Sequence, residues 1–150
     1  MYSTILVAVE LSPASARLLE RARGLRELHD ARLVVAHVTE PAVLSAAMAG
    51  PDGLGAVVED PEWDARMVEG ASRQLCEMAK TAGVGDAECR VELGLPSETL
   101  IGLAKEIRAD LLVLGHHPRH GLPALLGGGI DSGVLRHAPC DVLAVVTDEH

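Results

Sequence analysis

"DLLVLGHHPRHGLPALLGGGIDSGVLRHAPCDVLAVV", Asp110 to Val146, decides the fold. It opens on DLLVLG (110–115) and closes on CDVLAVV (140–146), two short runs with little polar character. Runs of this kind suit strands buried in a parallel sheet. IDSGVLRH (130–137) reads as a short helix between them. Strand, helix, strand predicts a parallel crossover unit. The intervening loop, GHHPRHGLPALLGGG (115–129), has glycines at both ends and holds Pro118, His116, His117 and His120. Three readings of it are open: a phosphate cradle, a broken cradle, or a metal site.

Working outward, STILVAV (3–9) is apolar on both faces and reads as a central strand. Ser12 is the expected N-cap of the next helix, with Pro13 in its first turn. Leu18, Leu19, Ala22, Leu25 and Leu28 recur at helical spacing up to His29. ARLVVAHV (31–38) is a second buried strand. Residues 39–61 are rich in Gly, Ala and Pro, and their length predicts a mobile functional loop. Residues 61–83 read as a helix with Trp63, Met67, Ala71, Leu75, Met78 and Ala82 as its apolar stripe and Gly83 as its stop. AECRVEL (87–93) alternates and reads as a half-exposed strand. Pro96 and Ser97 start the following helix, which carries Leu100, Ile101, Ala104 and Ile107.

Five strands alternating with helices predict one α/β domain, 1–150, with a doubly wound, five-stranded parallel sheet and helices on both faces. In such sheets ligands sit beyond the carboxyl ends of the strands, where the winding reverses. For this order that point falls between the first and fourth strands, at Glu10–Ser12 and Gly115–Pro118. The third strand carries charges that discourage pairing. The last, VLAVV (Val142, Leu143, Ala144, Val145, Val146), carries none, and is expected to pair with a second copy in a two-fold homodimer.

Composition narrows the function classes. Net charge is −9, and Tyr2 and Trp63 are the only aromatics, so nucleic acid is an unexpected partner. Cys76, Cys89 and Cys140 are widely spaced without a C-x-x-C, which suits structural thiols in a reducing compartment. No basic leader or apolar run near 18 residues occurs. The expectation is a soluble cytoplasmic protein without membrane insertion.

ILVAVELSPAS near the start, AHV ending the second strand, and LLVLGHH with LRHAPCDVLAVV near the end together resemble the universal stress protein family. The resemblance runs along essentially the whole chain. It implies a Rossmann-like fold with strand order 3-2-1-4-5, dimerisation through the last strand, and a role in stress survival. ATP-binding members carry G-x2-G-x9-G-[ST] after the fourth strand and an Asp after the first. Here those loop positions hold Gly115, Pro118, Gly128 and Gly129, and the Asp position holds Glu10. The GHH of Gly115–His117 and the opening AVELSP are similar to the UspA branch, which lacks the ATP motif. The GLPALLGG spacing and LRHAPCDVL are similar to the ATP-binding branch.

The departures have chemical weight. Pro118 has no N–H to offer a phosphate and a fixed φ. One lost charge-assisted hydrogen bond costs about 1.5–3 kcal/mol, or roughly 10- to 150-fold in affinity. Gly129 keeps its N–H but lacks the hydroxyl. Asp131 adds negative charge where a phosphate would collect. These favour a broken cradle. A retained nucleotide (ATP or AMP) would use Glu10, Val38, Gly115, Pro118, Gly128, Gly129 and Ile130.

Rival readings stand beside ordinary ones. GGGIDSG (127–133) resembles the S-G-G-x-D-S loop of PP-loop ATP pyrophosphatases, but Gly127 replaces the leading Ser and the position is wrong. The ordinary reading is a turn into a helix capped by Asp131. His116, His117 and His120 have metal-ligand chemistry, but adjacent histidines on extended backbone point apart, and backbone or solvent contacts explain them. Titration of these histidines would make the loop pH-sensitive. Glu10 is either a ligand-facing acid or a turn cap. Arg119 either meets a phosphate or is solvated. Ser12 has no partner His or acid in sequence and is not expected to be a nucleophile; Trp63 is expected in the core or under the loop, and Cys140 near the dimer edge. The resulting expectation is a non-catalytic homodimeric stress-response protein with a degenerate nucleotide loop, no metal and no required cofactor, acting through unknown protein partners with 39–61 as a contact surface. The alternative is an ATP- or AMP-binding sensor of the same fold. A PP-loop-like ATP-hydrolysing enzyme is the third.

Overall fold

A computed structural model describes residues 1–43, 59–116 and 130–147, the side chains of 130–132 excepted. The elements run β1 (Thr4–Ala8), α1 (Ser15–His29), β2 (Arg32–Thr39), α2 (Pro61–Thr81), β3 (Glu88–Leu93), α3 (Pro96–Glu106), β4 (Leu111–His116), α4 (Ile130–His137) and β5 (Asp141–Val146). All pairings are parallel, as the residue pattern predicts, and the strand order is β3-β2-β1-β4-β5, as the resemblance implies. Most of residues 39–61, and the 117–129 part of the loop after β4, lie outside the described residues.

The apolar runs become central strands because both of their faces are covered. On one face Ile5, Val7, Leu33, Val35, Leu111 and Val113 meet Leu18, Leu19 and Ala22 of α1 and Leu75 and Ala79 of α2. On the other, Leu6, Val34, Ala36, Leu112 and Leu114 meet Leu100, Leu103 and Ala104 of α3 and Val134 of α4. A chain with two aromatics builds this core from branched aliphatics, which interdigitate well across a helix–sheet interface.

Three helices stop the same way. Asp30 (φ 50°), Gly83 (φ 79°) and Arg108 (φ 55°) adopt left-handed backbone. The following N–H then reaches back into the helix: Ala31 to Arg26 O, Val84 to Ala79 O, Ala109 to Ala104 O. These are Schellman-type ends, in which turning the chain satisfies otherwise orphaned carbonyls. At the amino ends of the strands, Asp110 accepts from the Ser3 N–H (2.8 Å) and the Thr4 N–H (3.0 Å), clasping β1 to β4. Those backbone bonds hold its carboxyl below the usual aspartate range.

Several expectations need correction. Ser12 is not the cap of α1: the helix starts at Ser15 after Ala14, with no side-chain cap bond. Residues 12–14 form a turn first, with Ser15 N–H bonded to Ser12 O and Ala16 N–H to Pro13 O. Leu28 is 76% exposed, because 3.6-residue geometry carries it past the edge of the buried stripe. Trp63 and Met67 stay substantially exposed, since the first turns of α2 extend beyond the sheet core. The core of α2 is Ala71, Leu75 and Ala79.

Candidate functional site

The site is built where β1 and β4 end side by side. Ala8 pairs with Leu114, so the segment after β1 and Gly115–His116 leave the sheet as neighbours. This is where the winding reverses, since α1 and α3 lie on opposite faces. Val38 stands one strand over on β2, half-buried. α4 begins at Ile130 on the far side of the loop. The fold thus carries Glu10, Val38, Gly115 and the start of α4 to one end of the sheet. Pro118, Gly128 and Gly129 lie outside the described residues, as do His117, Arg119, His120 and Gly127. The Ile130 and Asp131 side chains are likewise not described, and neither is the Asp131 cap.

The exit of β1 is tightly held. Val9 N–H donates to Ala36 O at 2.8 Å. His37 Nδ1 lies 2.8 Å from Val9 O. A carbonyl only accepts, so that ring nitrogen carries the proton and donates. The Ser15 hydroxyl donates to the Glu10 carbonyl. Three successive anchors therefore fix the backbone on which exposed Glu10 sits. The roles of His37 and Ser15 were not read from sequence. A polar residue at the end of an apolar strand (His37) and one opening a helix (Ser15) were the available signals.

Two glycines have packing tasks that motif reading does not reveal. A Cβ on Gly115 would stand 3.3 Å from Thr147 Cγ2 and 3.8 Å from Leu18 Cδ2. Thr147 is itself buried, and its N–H bonds to His116 O at 3.1 Å. Gly115 thus lets β4 and the end of β5 close over α1. A Cβ on Gly133 would meet Ser97 Oγ at 2.8 Å. Close approach there seats α4 against the start of α3 and so positions the end of the loop.

The opposite end of the sheet differs in character. An open cleft of about 500 Å³ lies between the end of α1 and the starts of β2 and β3. Both of its arginines are paired within it: Arg26 with Asp86 at 2.9 Å and Arg32 with Glu88 at 2.6 Å. Each arginine holds its partner carboxyl below the usual range. Nearby at this end, the Tyr2 hydroxyl donates to Asp141 Oδ2 at 2.9 Å, which raises the phenol. Burial and the carboxylates of Asp141 and Asp110 push the Cys140 thiol up. Among the described residues no group of three or more His, Cys, Asp or Glu side chains is placed to hold a metal ion. No helix of the described residues is long and apolar enough to cross a membrane.

Fold and site together define a doubly wound α/β protein with its candidate site at a topological switch point. The family model described as "Universal stress protein family" matches residues 1–146. A Staphylococcus aureus (strain USA300) protein named "Putative universal stress protein" is 32% identical over 99% of this chain and 86% of its own. A universal stress protein crystallised in complex with cAMP superposes with a TM-score of 0.70 at 28% identity, covering 98% of each chain. The universal stress protein UspA from Lactobacillus plantarum superposes with a TM-score of 0.67 at 26% identity, over 96% of this chain and 97% of that one. The chain belongs to the universal stress protein family.

Proposed function

We propose that this protein is a single-domain, homodimeric stress-response regulator of the cytoplasm that acts by binding partners, without turning over a substrate. The observation that carries this reading is the contrast between its sheet edges. β5 is an edge strand with Val146 46% exposed and Ala144 also exposed, whereas β3 carries a charged ladder. An apolar edge invites a second strand. Val142, Leu143, Ala144, Val145 and Val146 would form the interface, two copies meeting about a two-fold axis. The switch-point site is then a weakened adenine-nucleotide site. Glu10, Val38 and Gly115 flank it, and Gly128, Gly129 and Ile130 would complete it, while Pro118 removes one N–H from the cradle.

A second reading, an adenine-nucleotide sensor, is favoured by the likeness to the protein crystallised with cAMP. Calorimetric titration with Mg-ATP and with cAMP separates the two. The first reading expects no heat at micromolar nucleotide and no nucleotide in a heat extract of purified protein. A low-micromolar dissociation constant would install the sensor in its place. Release of ADP from Mg-ATP, lost in Asp131→Ala, would overturn both in favour of an enzyme.

A further inference from the structure

α2 packs against β3 on the face that holds Leu75, Ala79 and Val91, and this contact brings two cysteines together. Cys76 follows Leu75 on α2 and is exposed. Cys89 sits on β3 opposite Val35, half-buried, and packs against the same apolar cluster. Across this contact Cys76 is near enough to act on the Cys89 thiol as a neighbouring group. The Cys89 sulfur also lies 3.7 Å from the Ala87 carbonyl oxygen, which it faces as a weak donor. Burial, with the neighbouring sulfur, pushes the Cys89 thiol up to about 11. It therefore stays protonated at neutral pH and unreactive until its neighbour changes. Cys140 precedes β5, at the opposite edge of the sheet from β3.

We infer that Cys76 and Cys89 form a reversible intramolecular disulfide when the protein meets a hydroperoxide. Cys76, the exposed member of the pair, takes the first step. Its sulfur attacks one peroxide oxygen, the O–O bond breaks, and water or an alcohol leaves. Cys76 is now a sulfenic acid. The Cys89 sulfur attacks the Cys76 sulfur and gives up its proton, while the sulfenic hydroxyl departs as water. Two thiols and one hydroperoxide yield one disulfide, one water and one alcohol or second water. A dithiol reductant restores both thiols. In a reducing compartment such a bond is transient, which is the behaviour of a sensor and not of a structural staple. It would lock α2 onto the edge strand β3, away from the β1–β4 site, and is independent of what that site binds.

The test uses the full chain, reduced, freed of reductant and treated with hydrogen peroxide. Free thiols are then alkylated and the protein digested without reduction for peptide mass mapping. The expected product is one cross-linked peptide pair containing Cys76 and Cys89, lighter by two hydrogens, with Cys140 alkylated. Dithiothreitol returns it to the starting mass. Cys89→Ser leaves Cys76 as a sulfenic acid that dimedone traps, and Cys140→Ser does not alter the cross-link. Cys76 oxidised to sulfinic acid while Cys89 stays free, a bond to Cys140 or to another chain, or two free thiols after prolonged treatment would each overturn the inference. The wild-type map decides the matter even if a variant fails to fold.

Discussion

β3 and β5 are the two edges of one sheet, and their registers put comparable residues on the same face. Glu88 and Arg90 stand beside Val34 and Ala36, which pack under α3. Val142 and Ala144 stand beside Leu112 and Leu114 on that same face. At β3 the face is closed by charge. Arg90 reaches Glu92 at 2.6 Å and both Glu88 and Glu106 at 3.5 Å, the last across on α3. At β5 the face is apolar and partly open. An edge of interlocked ions is costly to desolvate against another chain, and an aliphatic edge gains by it. The comparison supports the proposed reading, in which the molecule associates on its β5 side only.

The largest effect is expected on β5. Val146→Lys places a charge in the proposed interface, and should raise the dimer dissociation constant about 10- to 100-fold. Sedimentation equilibrium reads it, and an unchanged dimer would break the comparison. Next, Glu88→Val with Glu92→Val turns β3 into a second aliphatic edge. Species larger than the wild-type assembly should appear in light scattering, and their absence would mean that the charges are not what protects β3. A smaller effect attends Arg90→Met, which keeps much of the stem but ends three ion pairs. Discounted for their solvent contact, these are worth about 1 kcal/mol together. That corresponds to a melting temperature lower by roughly 2–4 °C, read by calorimetry. The smallest effect is with pH. Asp86 and Glu88 have carboxyls lowered by Arg26 and Arg32. Their contribution is fully present above the ordinary carboxylate range and is lost as pH falls through their lowered values. Urea midpoints should therefore fall on acidification below that range, and less steeply in Arg26→Met with Arg32→Met.

The sheet was legible because burial on both faces leaves a plain mark. ILVAV and LLVL have no polar face and lie at the centre, and the alternating ECRVEL lies at an edge; VLAVV, as apolar as the central strands, is also an edge, so apolarity alone did not fix position. Helix ends were legible at Gly83, where glycine marks the turn, and at His29, where the helical spacing stops, but not at Arg108, which takes the same left-handed turn without a glycine. Start signals failed at Ser12 because a turn of 12–14 intervenes and Ser15 spends its hydroxyl on the Glu10 carbonyl. Of the candidate site, its place in the fold was readable from strand order. The dual use of glycines was not. Gly115 read as a ligand-loop residue and Gly133 as part of a short helix, yet each admits a distant side chain, Thr147 and Ser97, that no local pattern announces.

The most direct test is the mass of the full chain by sedimentation velocity at micromolar concentration. The account predicts twice the 15.7 kDa of the single chain, reverting to one chain in Val146→Lys. A wild-type mass of one chain, or a dimer indifferent to that substitution, would contradict it.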